Sequence, residues 1–324
     1  MQEPHAAAHI VKVLLTGTSS FTGLWFARAL AERGHELVVT FRGADGSYEG
    51  VRARRVTLAR DLGRAEFGCT FGGDRFLEIA AGGGFDVLCH HAAEVSDYKS
   101  PDFDVAAALA NNTAGLRRVF ETLRDHGCRR TVATGSVFEH DEGTGGEPRR
   151  AFSPYGLSKG LSWQVLRYFA GEAGLRLGKF VIPNPFGPHE EPRFTSYLVR
   201  NWADRKTPSV ATPAYLRDNI HARLLALAYA RFTEQLSDTP GCDRLAPCGY
   251  IETQGAFAER FAREMRPRLG LPCELELAHQ TEFPEPRLRT NTDILDAGDL
   301  GFDEAAAWDE LATYYQDRLA GREP

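Results

Sequence analysis

Long apolar runs are missing from this chain. No window approaches about 18 uncharged apolar residues, so no segment is expected to cross a bilayer as a helix. Positive charge is not in excess either. Thirty-eight Lys and Arg stand against 44 Asp and Glu, a formal net charge of -6, which gives no support for a nucleic-acid surface. There is no Cys-x-x-Cys pair. The six cysteines (Cys69, Cys89, Cys128, Cys242, Cys248 and Cys273) are scattered, as expected for reduced thiols in a cytoplasm and not for a zinc site. The segment Met1 to His9 has no basic stretch followed by an apolar run, so no signal peptide is expected. Repeats and low-complexity tracts are absent. The expectation that remains is a cytoplasmic globular protein with no nucleic-acid or membrane partner. Its 43% hydrophobic and 25% charged residues are ordinary for that class. Its 324 residues suffice for one large core or two smaller ones.

What is present is an alternation of short apolar runs and helical patterns. Ile10 to Leu15 reads as a buried strand, followed by Thr16-Gly17-Thr18-Ser19-Ser20-Phe21-Thr22-Gly23. A helical pattern through Leu24, Phe26, Ala27 and Leu30 stops at Gly34, and Leu37 to Phe41 reads as a second strand. Strand, glycine turn, helix, strand is the opening unit of a dinucleotide-binding sheet, with the pyrophosphate at the helix N-terminus. Gly17 and Gly23 flank Ser20, where a third glycine would normally sit. A serine still permits the turn, and its hydroxyl could reach a phosphate. Gly17, Ser19, Ser20, Phe21 and Gly23 are the cofactor candidates here. The alternative is a purely structural turn, which the correct flanking elements disfavour.

The end of the second strand bears on cofactor choice. A carboxylate there would bind the ribose diol of NAD, whereas an arginine accommodates the 2′-phosphate of NADP. The chain reads Thr40-Phe41-Arg42-Gly43, with no Asp or Glu before Asp45. Arg42 is the candidate phosphate contact, NADP(H) being favoured over NAD(H); its alternative is an exposed loop arginine.

Further on, Ser47 to Leu62 is expected as a charged helix, Phe67 to Phe71 as a third strand, and Asp86 to His90 as a fourth. The fourth ends in His90-His91-Ala92-Ala93. Consecutive strand residues point to opposite faces, so the two histidines cannot readily share a metal and read as strand-end packing and loop positioning. Ala106 to Arg124 is expected as one helix containing Asn112-Thr113-Ala114-Gly115, and Arg130 to Ala133 as a fifth strand. Thr134-Gly135-Ser136 then lies at a strand C-terminus, where ligands bind in such sheets. After a polar loop from Glu139 to Arg150 comes Ser153-Pro-Tyr155-Gly-Leu-Ser-Lys159. Tyr155 and Lys159 at i, i+4 share a helix face. An ammonium beside a phenol favours the phenolate and makes it usable as an acid or base. Alone the pair also fits a solvated helix face. Leu177 to Ile182 is a sixth strand, before the turn Pro183-Asn184-Pro185-Phe186-Gly187-Pro188. Beyond Pro188 the strand–helix rhythm is lost. Residues 8–183 with roughly 213–250 are expected to form the cofactor domain, and 184–212 with 251–324 a substrate-binding region.

In order and spacing, Thr16–Gly23, His90–Ala93, Asn112–Gly115, Thr134–Phe138, Ser153–Lys159, Asn184–Pro188 and Arg217–His221 resemble the extended short-chain dehydrogenase/reductase family, in its nucleotide-sugar epimerase, dehydratase and ketoreductase branch. The resemblance implies an α/β fold: a Rossmann-type doubly wound parallel sheet with a smaller C-terminal substrate region. It implies Tyr155 and Lys159 as catalytic residues. Thr134 would orient the reacting oxygen, with Ser136 as a lesser substrate-side candidate. Ala92 and Asn112 would lie against the cofactor, and Asn184 and Arg217 would grip the substrate diphosphate, a task suited to a guanidinium fork. It also implies a homodimer built on the two long helices. Departures from the pattern shape the expected reaction. Gly135-Ser136 replaces the Asp-Glu pair that 4,6-dehydratases use to eliminate water, Phe41 with Arg42 replaces the acidic residue of NAD-retaining epimerases, and Ala222-Arg223 follows His221 in place of Val-Asp. The expected function is hydride transfer on a nucleoside-diphosphate sugar, as an epimerase or a 4-ketoreductase. The alternatives are a reductase of a small aldehyde or ketone and a non-catalytic NADP-binding sensor.

Overall fold

The structure, a computed structural model, describes residues 10–145 and 149–322. The first stretch runs β1 (Lys12–Thr16), α1 (Phe21–Glu32), β2 (Glu36–Thr40), α2 (Gly50–Arg60), β3 (Arg64–Glu66), α3 (Asp74–Gly82), β4 (Val87–His90), α4 (Val105–Asn112), α5 (Leu116–Asp125), β5 (Arg130–Ser136), α6 (Pro154–Glu172) and β6 (Arg176–Ile182). The remainder runs β7 (Asn184–Phe186), α7 (Phe194–Ala203), β8 (Ser209–Val210), β9 (Leu216–His221), α8 (Ala222–Gln235), β10 (Gly241–Leu245), β11 (Tyr250–Thr253), α9 (Gln254–Leu269), β12 (Glu276–Leu277), β13 (Leu288–Arg289) and α10 (Glu304–Leu319).

The chain divides into two compact units. The first takes the described residues of 1–135, 153–180 and 229–245, and the second those of 136–152, 181–228 and 246–324. The segments 184–212 and 251–324 lie wholly in the second, together with residues 213–228.

The first unit carries a seven-stranded sheet in the order β10-β6-β5-β4-β1-β2-β3, with parallel pairings that include β1–β2, β1–β4 and β4–β5. Val13, Leu14, Leu15, Val38, Val39, Val87 and Leu88 are all buried. They are continuous apolar runs rather than alternating ones, because helices cover both faces of such a sheet. Strand order reverses between β1 and β4, where Thr16 pairs with His90 in register. That reversal is the doubly wound sheet's switch point, beside which ligands bind. One face packs Leu14, Val38 and Leu88 against Phe76 of α3, Phe120 and Leu123 of α5 and Leu166 of α6.

Two expectations are corrected. The third strand is Arg64–Glu66, not Phe67 to Phe71. Residues 67–71 instead fold over the end of β2: Cys69 N–H donates to the Phe41 carbonyl at 2.9 Å, and Phe67 stacks on Phe41 at 4.8 Å. Nor is Ala106 to Arg124 one helix. It breaks into α4 and α5 at Gly115, whose φ is +62°. A Cβ on Gly115 would lie 2.7 Å from the Gly72 carbonyl oxygen, and one on Gly72 would lie 2.0 Å from that of Ala114. The two backbones meet there, and only glycine permits that approach.

In the second unit β9 pairs with β7, β11 and β13. Its core gathers Phe186, Trp202, Phe257, Phe261, Trp308, Tyr314 and Tyr315. No described helix is long and apolar enough to cross a membrane.

Candidate active site

In the first unit the turn after β1 folds tightly because Gly17 adopts φ +81° and presses against the chain leaving β4. A Cβ there would stand 2.7 Å from Ala92 N, and one on Gly23 would stand 2.3 Å from the Gly17 carbonyl oxygen. Ser20 caps α1. Its hydroxyl donates to the Gly17 carbonyl at 2.8 Å and accepts from Gly23 N–H at 3.1 Å, so it is used inside the turn. The amides of Phe21 and Thr22 open the helix, at positions where N–H groups have no intrahelical acceptor. The N-terminus of α1 is thus a cradle for an anion.

Thr16 ties the end of β1 to the end of β4. Its Oγ1 accepts from His91 N–H at 3.1 Å and Ala92 N–H at 3.0 Å and meets His90 Nδ1 at 3.1 Å. The two histidines point apart, as strand alternation requires. His90 stacks on Phe71 at 4.0 Å. His91 Nε2 lies 3.0 Å from both Ser20 Oγ and Thr22 Oγ1, while its Nδ1 lies 2.9 Å from Thr134 Oγ1. Burial, and after it the charge of Lys159, pushes the pKa of both down to about 3, which keeps them neutral. Asn112, buried in α4, accepts from Glu94 N–H at 2.7 Å and donates to Ser162 of α6 at 3.2 Å. Arg42 extends from the end of β2 with a side chain 64% exposed, and its nearest carboxylate is Glu94 at 3.7 Å.

The start of α6 brings up the remaining groups. Ser153 caps it, accepting from Gly156 N–H at 3.2 Å, and Pro154 sits in its first turn, where a missing N–H costs nothing. Tyr155 follows, its ring edge-on to Tyr98 at 5.6 Å and Phe103 at 5.9 Å. One turn later Lys159 Nζ donates to the Thr134 carbonyl at 2.6 Å. Thr134 is therefore fixed at both ends, its carbonyl by Lys159 and its hydroxyl by His91. The phenol, ammonium and threonine hydroxyl belong to the same unit as the anion cradle of α1.

The other expected residues lie in the second unit. Ser136 Oγ accepts from Phe138 N–H at 3.2 Å, and Ser136 N–H donates to Glu139 at 2.7 Å. Asn184 donates to the Asp218 carbonyl at 3.1 Å. Arg217 is 8% exposed. Its Nη1 donates to the carbonyls of Leu216 and Pro286, both at 3.0 Å, and its Nη2 to Glu285 at 2.9 Å. Burial lowers its pKa and Glu285 opposes that shift. Phe152 carries the Arg217 guanidinium at 5.3 Å and that of Arg289 at 5.8 Å. Arg289 is 2% exposed, and its Nε has no hydrogen-bond partner among the described residues.

A sequence model of the NAD dependent epimerase/dehydratase family matches residues 13–241. The chain belongs to that family. Its fold is also that of the family's solved structures. The UDP-glucose 4-epimerase of Thermotoga maritima, with UDP-glucose, matches at a TM-score of 0.69 and 18% identity, covering 95% of this chain and 99% of that one. The UDP-glucuronic acid 4-epimerase of Bacillus cereus, with NAD and a fluorinated substrate analogue, matches at 0.73 and 14%, over 95% and 99%. The dTDP-glucose 4,6-dehydratase of Streptomyces venezuelae, with NAD, matches at 0.65 and 21%, over 97% and 99%. No curated sequence matches the chain. Membership makes this an enzyme of the extended short-chain dehydrogenase/reductase type that uses a nicotinamide cofactor. The sequence alone offers no reading of Arg289 and Glu285, and it offers His91 only as strand-end packing and loop positioning, without its bond to Thr134. His91 had a visible signal, an imidazole at a strand end next to the cofactor turn. Glu285 and Arg289 lie in a stretch with no periodicity to place them.

Proposed function

We propose that the protein exchanges a hydride between NADP(H) and a sugar carbon of a nucleoside-diphosphate sugar, as an epimerase or 4-ketoreductase. The observation that carries this reading is Lys159 bound to the Thr134 carbonyl one turn after Tyr155, in the unit that holds the α1 cradle. The cradle fits a dinucleotide: its glycines cannot be replaced without collision, and the helix N-terminus presents amides to a pyrophosphate. Gly17, Ser19, Ser20, Phe21, Gly23, Ala92 and Asn112 would line it, the amides of Ser20 and Ala92 being already bonded within the turn. When bound, the nicotinamide supplies the site that takes up or releases the hydride.

The chain's own residues handle the proton. Tyr155 exchanges it with the hydroxyl or ketone oxygen, Lys159 favours the phenolate by its charge, and Thr134 orients the oxygen. Arg42, exposed at the end of β2, supports NADP(H) over NAD(H) through its capacity to pair with a 2′-phosphate. Water elimination is not proposed, because Gly135 and Ser136 supply no acid–base pair. Asn184, Arg217 and Arg289 are the second unit's candidates for the diphosphate. A homodimer fits the exposed Leu157 and Tyr168 of α6, and reduced cysteines fit a cytoplasm.

One observation favours reduction of a small aldehyde or ketone instead: Arg217 is held by Glu285 and by carbonyls of its own unit. Assaying UDP- and dTDP-sugars beside the same unattached sugars, with both cofactors, separates the two. Turnover confined to nucleotide sugars is expected. Equal turnover of the free sugar would overturn the reading. Dinucleotide released on denaturing the purified protein would favour epimerisation over net reduction.

A further inference from the structure

His91 stands between two elements of the site that the proposed chemistry treats separately. On one side it meets the glycine turn, at Ser20 and Thr22; on the other it meets the hydroxyl of Thr134. Ser20 is also where a third glycine would normally sit, so the serine and the histidine form one connected device.

Counting protons fixes the direction of these bonds. A serine hydroxyl has a single proton, and that of Ser20 goes to the Gly17 carbonyl at 2.8 Å. Toward His91 the oxygen can only accept, so His91 Nε2 carries the hydrogen. The ring is neutral at working pH, since burial and Lys159 hold its pKa at about 3. A neutral imidazole protonated at Nε2 has a bare Nδ1, which must accept from the Thr134 hydroxyl 2.9 Å away. The Thr134 proton is thereby turned toward His91, and the lone pairs of Thr134 Oγ1 are left for another donor. Lys159 holds the other end of Thr134 through its carbonyl at 2.6 Å. The His91 ring is itself braced edge-on by Phe26, at 5.1 Å.

We infer that His91 is a positioning residue: as the Nε2–H tautomer it holds the Thr134 hydroxyl in one orientation by accepting its proton at Nδ1, and it ties that hydroxyl to the cofactor turn. The consequence for catalysis rests on the function proposed above. In the direction that oxidises the sugar, the substrate hydroxyl's single proton goes to Tyr155, and Thr134 stabilises the oxygen left behind by turning its own proton from His91 Nδ1 to that oxygen. In the reducing direction Thr134 turns the same proton to the ketone oxygen, Tyr155 delivers the proton that stays on that oxygen, and the Thr134 proton then returns to His91 Nδ1.

Two measurements on the full chain test this. Ring ¹⁵N spectra, with His91 assigned through its loss in His91→Asn, should show the Nε2–H tautomer. No protonation step is expected between about pH 5.5 and about pH 8, where an ordinary histidine titrates, and Thr134→Val should move the Nδ1 resonance. An Nδ1–H tautomer, a titration in that range, or an Nδ1 resonance indifferent to Thr134→Val would overturn the inference. This holds whether or not any nucleotide sugar is turned over, so its failure and that of the proposed function are distinguishable. Kinetically, His91→Phe keeps the shape against Phe26 and removes both bonds. It should lower kcat roughly tenfold to a hundredfold, with KM and dinucleotide Kd within about threefold. His91→Asn places an amide where Nδ1 was and should recover most of kcat; His91→Gln, which reaches only the turn, should not. If Asn and Phe are equally impaired, or if Kd moves as much as kcat, His91 merely packs.

Discussion

Replacing Arg42 with alanine removes the cation to which the proposed function assigns the choice between the two nicotinamide dinucleotides. Its side chain is 64% exposed and lies 3.7 Å from Glu94. A charge-assisted hydrogen bond to a phosphate contributes about 1.5 to 3 kcal/mol in a well-shielded setting. Exposure on this scale screens the contact, which brings the figure to about 1 to 1.5 kcal/mol. Arg42→Ala should then weaken NADP(H) roughly five- to twelvefold and leave NAD(H) nearly unchanged. The same geometry makes an opposite forecast for Glu94, whose carboxylate both occupies Arg42 and repels a phosphate. Glu94→Gln should strengthen NADP(H) by about twofold to fivefold. Calorimetric titration of both dinucleotides against the three proteins at low and high salt checks both forecasts, and the NADP(H) preference should shrink as salt rises. If the unmodified protein prefers NAD(H), or if Arg42→Ala weakens both dinucleotides equally, Arg42 is a loop arginine and the selectivity argument is refuted.

Other outcomes follow from the same contacts. Lys159→Met should lower kcat by about a hundredfold or more and weaken dinucleotide binding, because the lysine both charges the site and holds the Thr134 carbonyl; a rate loss without any affinity loss would contradict the double role. Gly17→Ala should destabilise the fold by about 2 to 3 kcal/mol, combining a positive φ with a collision at Ala92 N. Thermal unfolding and dinucleotide titration would both register it. Arg217→Ala should raise KM more than it lowers kcat, and Arg217→Lys should rescue little, since a lysine cannot satisfy the Leu216 and Pro286 carbonyls together with Glu285. Glu234 reports on pH. Burial raises its pKa, but hydrogen bonds from His35 and Arg33 outweigh that and bring it to about 2. A depressed folded pKa stabilises above the unfolded value near 4.5 and loses that stability as pH falls toward 2. Glu234→Gln should cost about 2 kcal/mol at neutral pH and flatten the decline below about pH 4.5, as measured by denaturant unfolding.

Much of the first unit was legible because its strands are apolar on both faces and its turns carry glycine. Val13 to Leu15 and Val87 to Cys89 need no partner information to be read as buried strands, and the Gly17–Gly23 turn announces what it joins. Two features escaped for one physical reason. The break between α4 and α5 and the early end of β3 are both set by distant backbone, the Gly72 carbonyl in one case and Phe41 in the other, while the local pattern around Ala106 to Arg124 stays helical throughout. The site divides in the same way. Tyr155 and Lys159 are tied by helical spacing and were readable together. The bond from Lys159 to Thr134 spans 25 residues, and those from His91 to Ser20 and Thr134 span 71 and 43. Such contacts exist only after the sheet has brought three strand ends side by side. Arg217 shows the limit from the other side: the residue stood out in its motif, but its hold on Glu285 and the carbonyls near β13 could be learned only from the fold.

The central claim is that Tyr155 carries the proton in a dinucleotide-dependent reaction on a nucleoside-diphosphate sugar, and Tyr155→Phe tests it most directly. The ring and its edge contacts with Tyr98 and Phe103 remain, and only the exchangeable proton is lost. Turnover of the best UDP- or dTDP-sugar should fall by about two orders of magnitude or more, with dinucleotide Kd changed less than about twofold. Near-normal turnover in that variant would contradict the account.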